Sequence, residues 1–365
     1  MRKLKLLLCC VLLLAGCEEV LFDNPSSKKT NREVYDDFFY TFGRVYANFR
    51  VRDIDWYKTV KSKYEGRVNE EMSRKALFNL CGEILVNEVK DGHVSLTGNN
   101  LFVNAGENNW SEDNTLFLDY YFNGEREIYQ MQDLYGSDNL QYFTYGFIGD
   151  NHDIGYIDTH TFGGFQDGVS NKEYDGMVQE ILGSFKDTKG VVIDARSQGG
   201  GSSELGGVLA SPFLQEDVQV FKKNTRCGEG IFDLKPSRDK LIYKGSNGEY
   251  SRPVVVLIGS GNGSAGEHFA EGIGYGKYVT TMGDTTMGIF SGINILQMKN
   301  GWIMSIPVEE VLKMDGSSLE GVGVIPEVLI TPSDMEAFNQ SQTVESGVVD
   351  YPLLRAVEYI ENQNN

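Results

Sequence analysis

The sequence predicts an α/β protein with a small helical region ahead of its main core. Two observations predict it. Early in the chain apolar residues recur at three- and four-residue steps, the period of a buried helix face. After Asp153 short apolar runs alternate with glycine-rich turns and helical patterns, the order of strands and helices in an α/β core. Apolar content of 41% in 365 residues supplies enough material for one large domain or two smaller ones. Glycine, at 42 residues, exceeds the average of roughly 7%, so tight turns are expected throughout.

Residues 1–17 read as a leader. Arg2, Lys3 and Lys5 form a basic start, Leu6 to Leu14 an apolar stretch too short to span a bilayer, and Leu14-Ala15-Gly16-Cys17 a small-residue cleavage site. The tetrapeptide resembles a bacterial lipobox. That resemblance implies that Cys17 becomes the lipid-modified first residue, a membrane anchor in the cell envelope. Residues 18–31, with Pro25-Ser26-Ser27, read as a flexible tether. Removing the leader's three positive charges takes the net charge from −19 to −22. A chain this acidic is a poor partner for nucleic acid.

The next element is a helix carrying Tyr35, Phe38, Phe39, Phe42, Val45, Tyr46 and Phe49 on one face. A second helix is expected over about 70–89, with Met72, Ala76, Leu77, Leu80, Ile84 and Leu85 aligned. Together they predict an N-terminal helical domain over 32–100, its aromatic stripe serving as core. Residues 101–150 show short strand signals between Gly and Asn, a small β-rich segment that is short for a complete PDZ module. The remainder, 151–365, reads as the α/β core. Strands are expected at Ile154–Ile157, Val191–Asp194 and Val254–Ile258, a helix across Tyr174–Phe185, and terminal helices at 333–340 and 351–361.

Only Cys81 and Cys227 fall beyond the leader, which is no disulfide framework, and Cys81 fits a helical core position. No Cys/His cluster has zinc spacing.

Four short constellations carry chemistry. In the first, a strand runs through Gly259, Gly261 and Gly263 into Ser264-Ala265-Gly266-Glu267 and a helix. A serine there is either a helix cap or a nucleophile at a helix N-terminus, where backbone amides favour developing negative charge. In the second, Asp194 and Arg196 precede Gly199-Gly200-Gly201, whose backbone is open to a ligand. The two ions read as structural. In the third, Lys90-Asp91-Gly92-His93 places one of only four histidines in a turn between helix and strand, where a neutral imidazole can act as a base. In the fourth, Glu320 precedes a glycine turn.

In order and character these pieces resemble peptidase family S41, of the C-terminal-processing and tricorn-like kind. The shared motifs are Asp91-Gly92-His93 with Leu96, Gly155-Tyr156-Ile157, and Asp194-x-Arg196 with its glycines. Ser264-Ala265-x-Glu267, Gly283-Asp284-Thr285-Thr286 and Gly323-Val324-x-Pro326-Glu327 complete the series. The resemblance implies an α/β, ClpP/crotonase-like catalytic core. It implies Ser264 as nucleophile and Gly199, Gly200 and Ala265 as the oxyanion site. One branch of the family uses a Ser-Lys pair, but Ile289 occupies the lysine position here. The Ser-His branch is matched by His93 as general base and Glu320 as its orienting acid. Gly92 stands where that branch often carries a serine. The implied activity is a lipid-anchored serine endopeptidase acting on peptides or unfolded proteins. Its acyl-transfer chemistry needs neither a metal nor an organic cofactor. The alternative is an inactive peptide-binding lipoprotein on the same fold. A glycan-binding platform is a third reading, weakened by the presence of only three Trp.

Overall fold

The computed structural model describes residues 29–106, 128–135, 141–149, 152–163, 168–238, 241–246, 250–341 and 350–364. The leader, Cys17 and most of the tether lie outside the described residues, as do parts of the 101–150 segment. The described chain divides into two compact units.

The first unit comprises residues up to 106 together with 226–235 and 293–309. Helix α1 (Asn31–Val45) starts at a capping box, the Thr30 side chain accepting from the Glu33 amide and the Glu33 side chain accepting from the Thr30 amide. It buries Val34, Tyr35, Phe38, Phe39 and Phe42. Trp56 stacks on Phe39 with centroids 4.5 Å apart, and its indole N–H donates to the Phe39 carbonyl at 3.0 Å. Helix α2 (Arg74–Ile84), capped by Ser73, continues through one π turn and stops at Lys90, whose φ of 53° is left-handed.

This unit is not helical throughout. Four antiparallel strands order as Ile293–Gln297, Ile303–Pro307, Ser95–Gly98 and Leu101–Asn104. Leu96, Met304 and Ile306 are buried in the same core as the helices' aromatic face. The 95–104 hairpin alone is marginal. The later pair widens it to four strands and supplies the second half of its apolar face.

The second unit holds a seven-stranded sheet. Its strands are β1 (Ile128–Tyr135), β2 (Gln141–Ile148), β3 (Ile154–Thr159), β4 (Gly190–Asp194), β5 (Val254–Ile258), β6 (Val279–Gly283) and β7 (Val328–Leu329). They lie side by side in sequence order. β3 to β7 pair in parallel, and β1 and β2 add an antiparallel edge. The strands read as a separate β-rich segment thus extend the central sheet, with Tyr142, Phe143 and Tyr145 buried in its core.

Helices cover both faces, as a parallel sheet requires. On one, Val191, Ile193, Val254, Val256 and Ile258 meet α3 (Asn171–Ser184), α4 (Ser203–Ala210) and α5 (Ala265–Ile273). On the other, Val192, Val255 and Leu257 meet Met335 of α6 (Pro332–Ser341) and Leu353, Ala356 and Ile360 of α7 (Tyr351–Gln363). Each of the Val, Leu, Ile and Met side chains contributes about 1.5–3 kcal/mol when fully buried.

No described helix is long and apolar enough to cross a membrane. Cys81 is a buried free thiol, as its helical position predicted, and Cys227 an exposed one.

Candidate active site

The carboxyl ends of the adjacent parallel strands β4 and β5 carry the two glycine turns, the position at which open α/β sheets place ligands. Ser264 stands at the N-cap of α5, yet it is not a cap. Its φ of 54° and ψ of −124° lie outside the extended region, and its side chain makes no capping hydrogen bond. The serine and threonine caps of α1, α2, α3 and α4 are all extended and all accept an amide. The backbone geometry therefore excludes the cap, one of the two readings open from the sequence.

A non-glycine residue in such a conformation costs on the order of 1–3 kcal/mol and persists only where neighbours impose it. Here they do. The Ser264 amide donates to the Ile289 carbonyl at 3.1 Å, and its carbonyl accepts from the Glu267 and His268 amides. The Gly263 amide donates to the Gln198 carbonyl at 3.1 Å. Asn262 donates through Nδ2 to the Ala195 carbonyl at 2.8 Å, tying the two turns together.

Gly200 has a φ of 116°, open only to glycine. A Cβ there would sit 2.7 Å from the Ser264 Cβ and 3.1 Å from the Ala265 amide nitrogen. This turn therefore lies directly against the serine. The Gly200 amide donates to Gln198 Oε1 at 3.0 Å. It is thereby engaged within the turn, leaving the Gly199 and Ala265 amides as the candidate donors to an oxyanion. Ala265 opens α5, so its amide also carries the positive end of the helix dipole.

Three residues organise the loop after β6. Glu267 is fully buried and accepts from Thr286 Oγ1 at 2.5 Å, the Gly288 amide at 2.6 Å and the Ile289 amide at 2.7 Å. Burial raises its carboxyl to about 7, against the opposing pull of those donors. His268 is bound on both ring nitrogens, Nδ1 to Ser203 Oγ at 2.8 Å and Nε2 to the Phe290 carbonyl at 2.9 Å. It braces the loop and has no nitrogen left for proton transfer. Glu320, also buried, accepts from the Phe290 amide at 3.0 Å and Ser291 Oγ at 3.3 Å.

Sequence reasoning gave Glu267 a motif position and no task, and did not single out His268. The signal available was an acid and a histidine one helical turn after the serine, on the side that packs inward.

Beside the glycine turn lies a cleft of about 1170 Å³, lined among others by Phe162, Gly201, Ser202, Leu205, Leu241 and Tyr243. It is roomy enough for peptide side chains. Among the described residues no cluster of acids, histidines or cysteines is arranged to hold a metal ion.

His93 belongs to the first unit and is described there. Its turn is fixed from several sides. Asp91, fully buried, accepts the His93 amide at 3.0 Å and the Tyr46 hydroxyl at 2.8 Å. Arg52 Nε lies 3.4 Å from Asp91, and Arg52 Nη1 donates to the Lys90 carbonyl at 2.9 Å. Asn104 donates to the Gly92 carbonyl at 3.0 Å. Burial lowers the His93 pKa, Asp91 opposing and Arg52 assisting. The imidazole is therefore neutral at pH 7, the form a general base needs. Its Nδ1 is buried with no hydrogen-bond partner among the described residues.

Residues 153–330 match peptidase family S41. This stretch is an S41 peptidase domain. The chain is 24% identical over 143 residues to the carboxy-terminal processing protease CtpA of Bacillus subtilis, covering 39% of this chain and 29% of that protein. A candidate peptidase from Parabacteroides merdae superposes with a TM-score of 0.72 at 23% identity, over 91% of this chain and 97% of that one. The tricorn protease superposes at 0.51 and 16% identity, over 92% of this chain and 37% of that one. The α/β core expected from the motifs is thus present, and its fold is similar to that of solved S41-type proteases.

Proposed function

We propose that the protein is a serine endopeptidase that cleaves peptides or unfolded proteins through an acyl-enzyme at Ser264. The observation that carries this reading is the strained, non-capping backbone of Ser264 beside the Gly199–Gly200 turn and the first amide of α5. A serine held in that conformation at a cost and not used as a cap fits a nucleophile better than a structural residue.

In this reading His93 takes the hydroxyl proton as Ser264 Oγ attacks the peptide carbonyl. Glu320 orients the imidazole and stabilises its charged form. The Gly199 and Ala265 amides hold the oxyanion, each such donor being commonly worth about 3 kcal/mol. His93 then protonates the leaving amine, and water repeats the cycle on the acyl-enzyme. Ile289 in place of a lysine, and a histidine neutral at pH 7, favour the Ser-His assignment. Anchoring through lipid on Cys17 would hold the enzyme at the cell envelope, within reach of extracytoplasmic peptides.

A fluorophosphonate probe tests the reading. The wild-type chain is expected to label covalently, and Ser264→Ala to remove all labelling. An unlabelled wild-type protein would instead support the inactive peptide-binding lipoprotein.

A further inference from the structure

Arg196 lies two residues before Gln198 and the glycine turn, and is almost wholly buried. Its guanidinium forms two bidentate pairs. Nε and Nη2 donate to Asp194 at 3.0 and 2.7 Å, and Nη1 and Nη2 donate to Asp350 at 2.8 and 2.7 Å. The Tyr156 hydroxyl donates to Asp194 Oδ2 at 2.8 Å. Asp350 also caps α7, accepting the Leu353 amide at 3.2 Å. It stands 154 residues from Arg196 and outside the 153–330 stretch that matches the family.

The cluster is a costly way to dock a helix. Two carboxylates and one guanidinium are taken out of water, and such groups often stabilise no more than apolar residues of similar volume. α7 is already docked by Leu353, Ala356 and Ile360 on Val192, Val255 and Leu257. What the ions add is direction, since a bidentate fork fixes a guanidinium in one plane. The main chain it fixes is the one that builds the site. A Cβ on Gly261 would lie 2.6 Å from the Arg196 carbonyl, Ala195 and Gln198 carbonyls both accept from Asn262, and the Gln198 side chain holds the Gly200 amide.

We infer that Asp350 is a positioning residue for the oxyanion turn, so that the C-terminal helix sets the geometry of Gly199 and Gly200 through Arg196. The inference rests on the peptidase reading for its kinetic consequence and on the ion cluster alone for its structural one. Asp350→Asn removes the charge while keeping the shape, and Asp350→Ala removes both.

Hydrogen exchange on the full chain reads the structural part. The amides of Gln198 and Gly200 are expected to exchange at least tenfold faster in both variants, with the central strands β4 and β5 unaffected. Unchanged exchange at those two amides in a folded variant overturns the coupling, whatever the activity. Kinetics read the functional part. Turnover is expected to fall tenfold or more with KM within about twofold. Affinity for a peptide aldehyde, whose hemiacetal oxygen occupies the oxyanion position, should fall by the same factor as turnover. Equal turnover in wild type and Asp350→Asn contradicts the inference. A wild-type chain that neither cleaves nor labels counts against the peptidase reading, and the exchange result still decides the coupling.

Discussion

At the scale of single residues, protonation and strain decide the proposed chemistry. His93 is the residue whose charge matters most, because burial lowers its pKa below the ordinary histidine value of 6.5. The acid limb of the kcat/KM profile should therefore have its midpoint below 6.5. A midpoint above 7 would remove His93 as the base. Replacing it, His93→Ala, should lower turnover ~10²–10⁴-fold with cooperative unfolding preserved. Glu267 shifts in the opposite sense. Its carboxyl is raised from 4.5 to about 7, so the folded state holds this proton more tightly than the unfolded chain. The stability this contributes is fully present below about 4.5 and is lost as pH rises through about 7. Thermal unfolding followed across that window should show the wild type losing stability more steeply than Glu267→Gln. Parallel curves would contradict the assignment. The substitution itself should cost about 1–3 kcal/mol, because a glutamine amide cannot accept from all three donors.

At the scale of elements the site is two turns and a loop locked to one another. Gly200→Ala tests the lock. A side chain meets both a disallowed φ and the Ser264 Cβ, so activity should fall by at least tenfold and stability by about 1–3 kcal/mol. Unimpaired turnover would mean the turn does not abut the nucleophile as described. Much of this was legible in the sequence. Val254–Ile258 reads as a buried strand because all five side chains are apolar, and β5 has those bounds. The glycine runs after Asp194 and Ile258 announce turns: Gly200 and Gly201 take positive φ, and a Cβ on Gly261 or Gly263 would meet a neighbour within 3 Å. The strain at Ser264 was not legible, since a serine before a helix reads equally as a cap. Nor was the sheet in the N-terminal unit. Ile303–Pro307 pairs with Ser95–Gly98 across some two hundred residues, and local periodicity carries no record of that partner. Glu320 was expected as the acid that orients His93; its bonds from the Phe290 amide and Ser291 Oγ, which tie it to the loop after β6, had no signal in the sequence.

At the scale of the whole molecule, the S41 domain supplies the fold, and the proposed setting rests on charge and a lipid anchor. A net charge of −19 keeps the protein away from anionic polymers. If Cys17 carries the anchor, Cys17→Ala should move the protein from the membrane fraction to the soluble one, because acyl chains account for its attachment at about 0.8 kcal/mol per buried CH2. A variant that still pellets would refute the anchor and leave the chemistry untouched. The proposed chemistry pairs the His93 base with the Ser264 hydroxyl. The crystal structure of the phosphonylated Ser264 adduct measures this directly. The His93 imidazole is expected within about 3 Å of the adduct's oxygens or of Ser264 Oγ, with Glu320 at its other nitrogen. An adduct in which another side chain occupies that position, with His93 turned away, would contradict it.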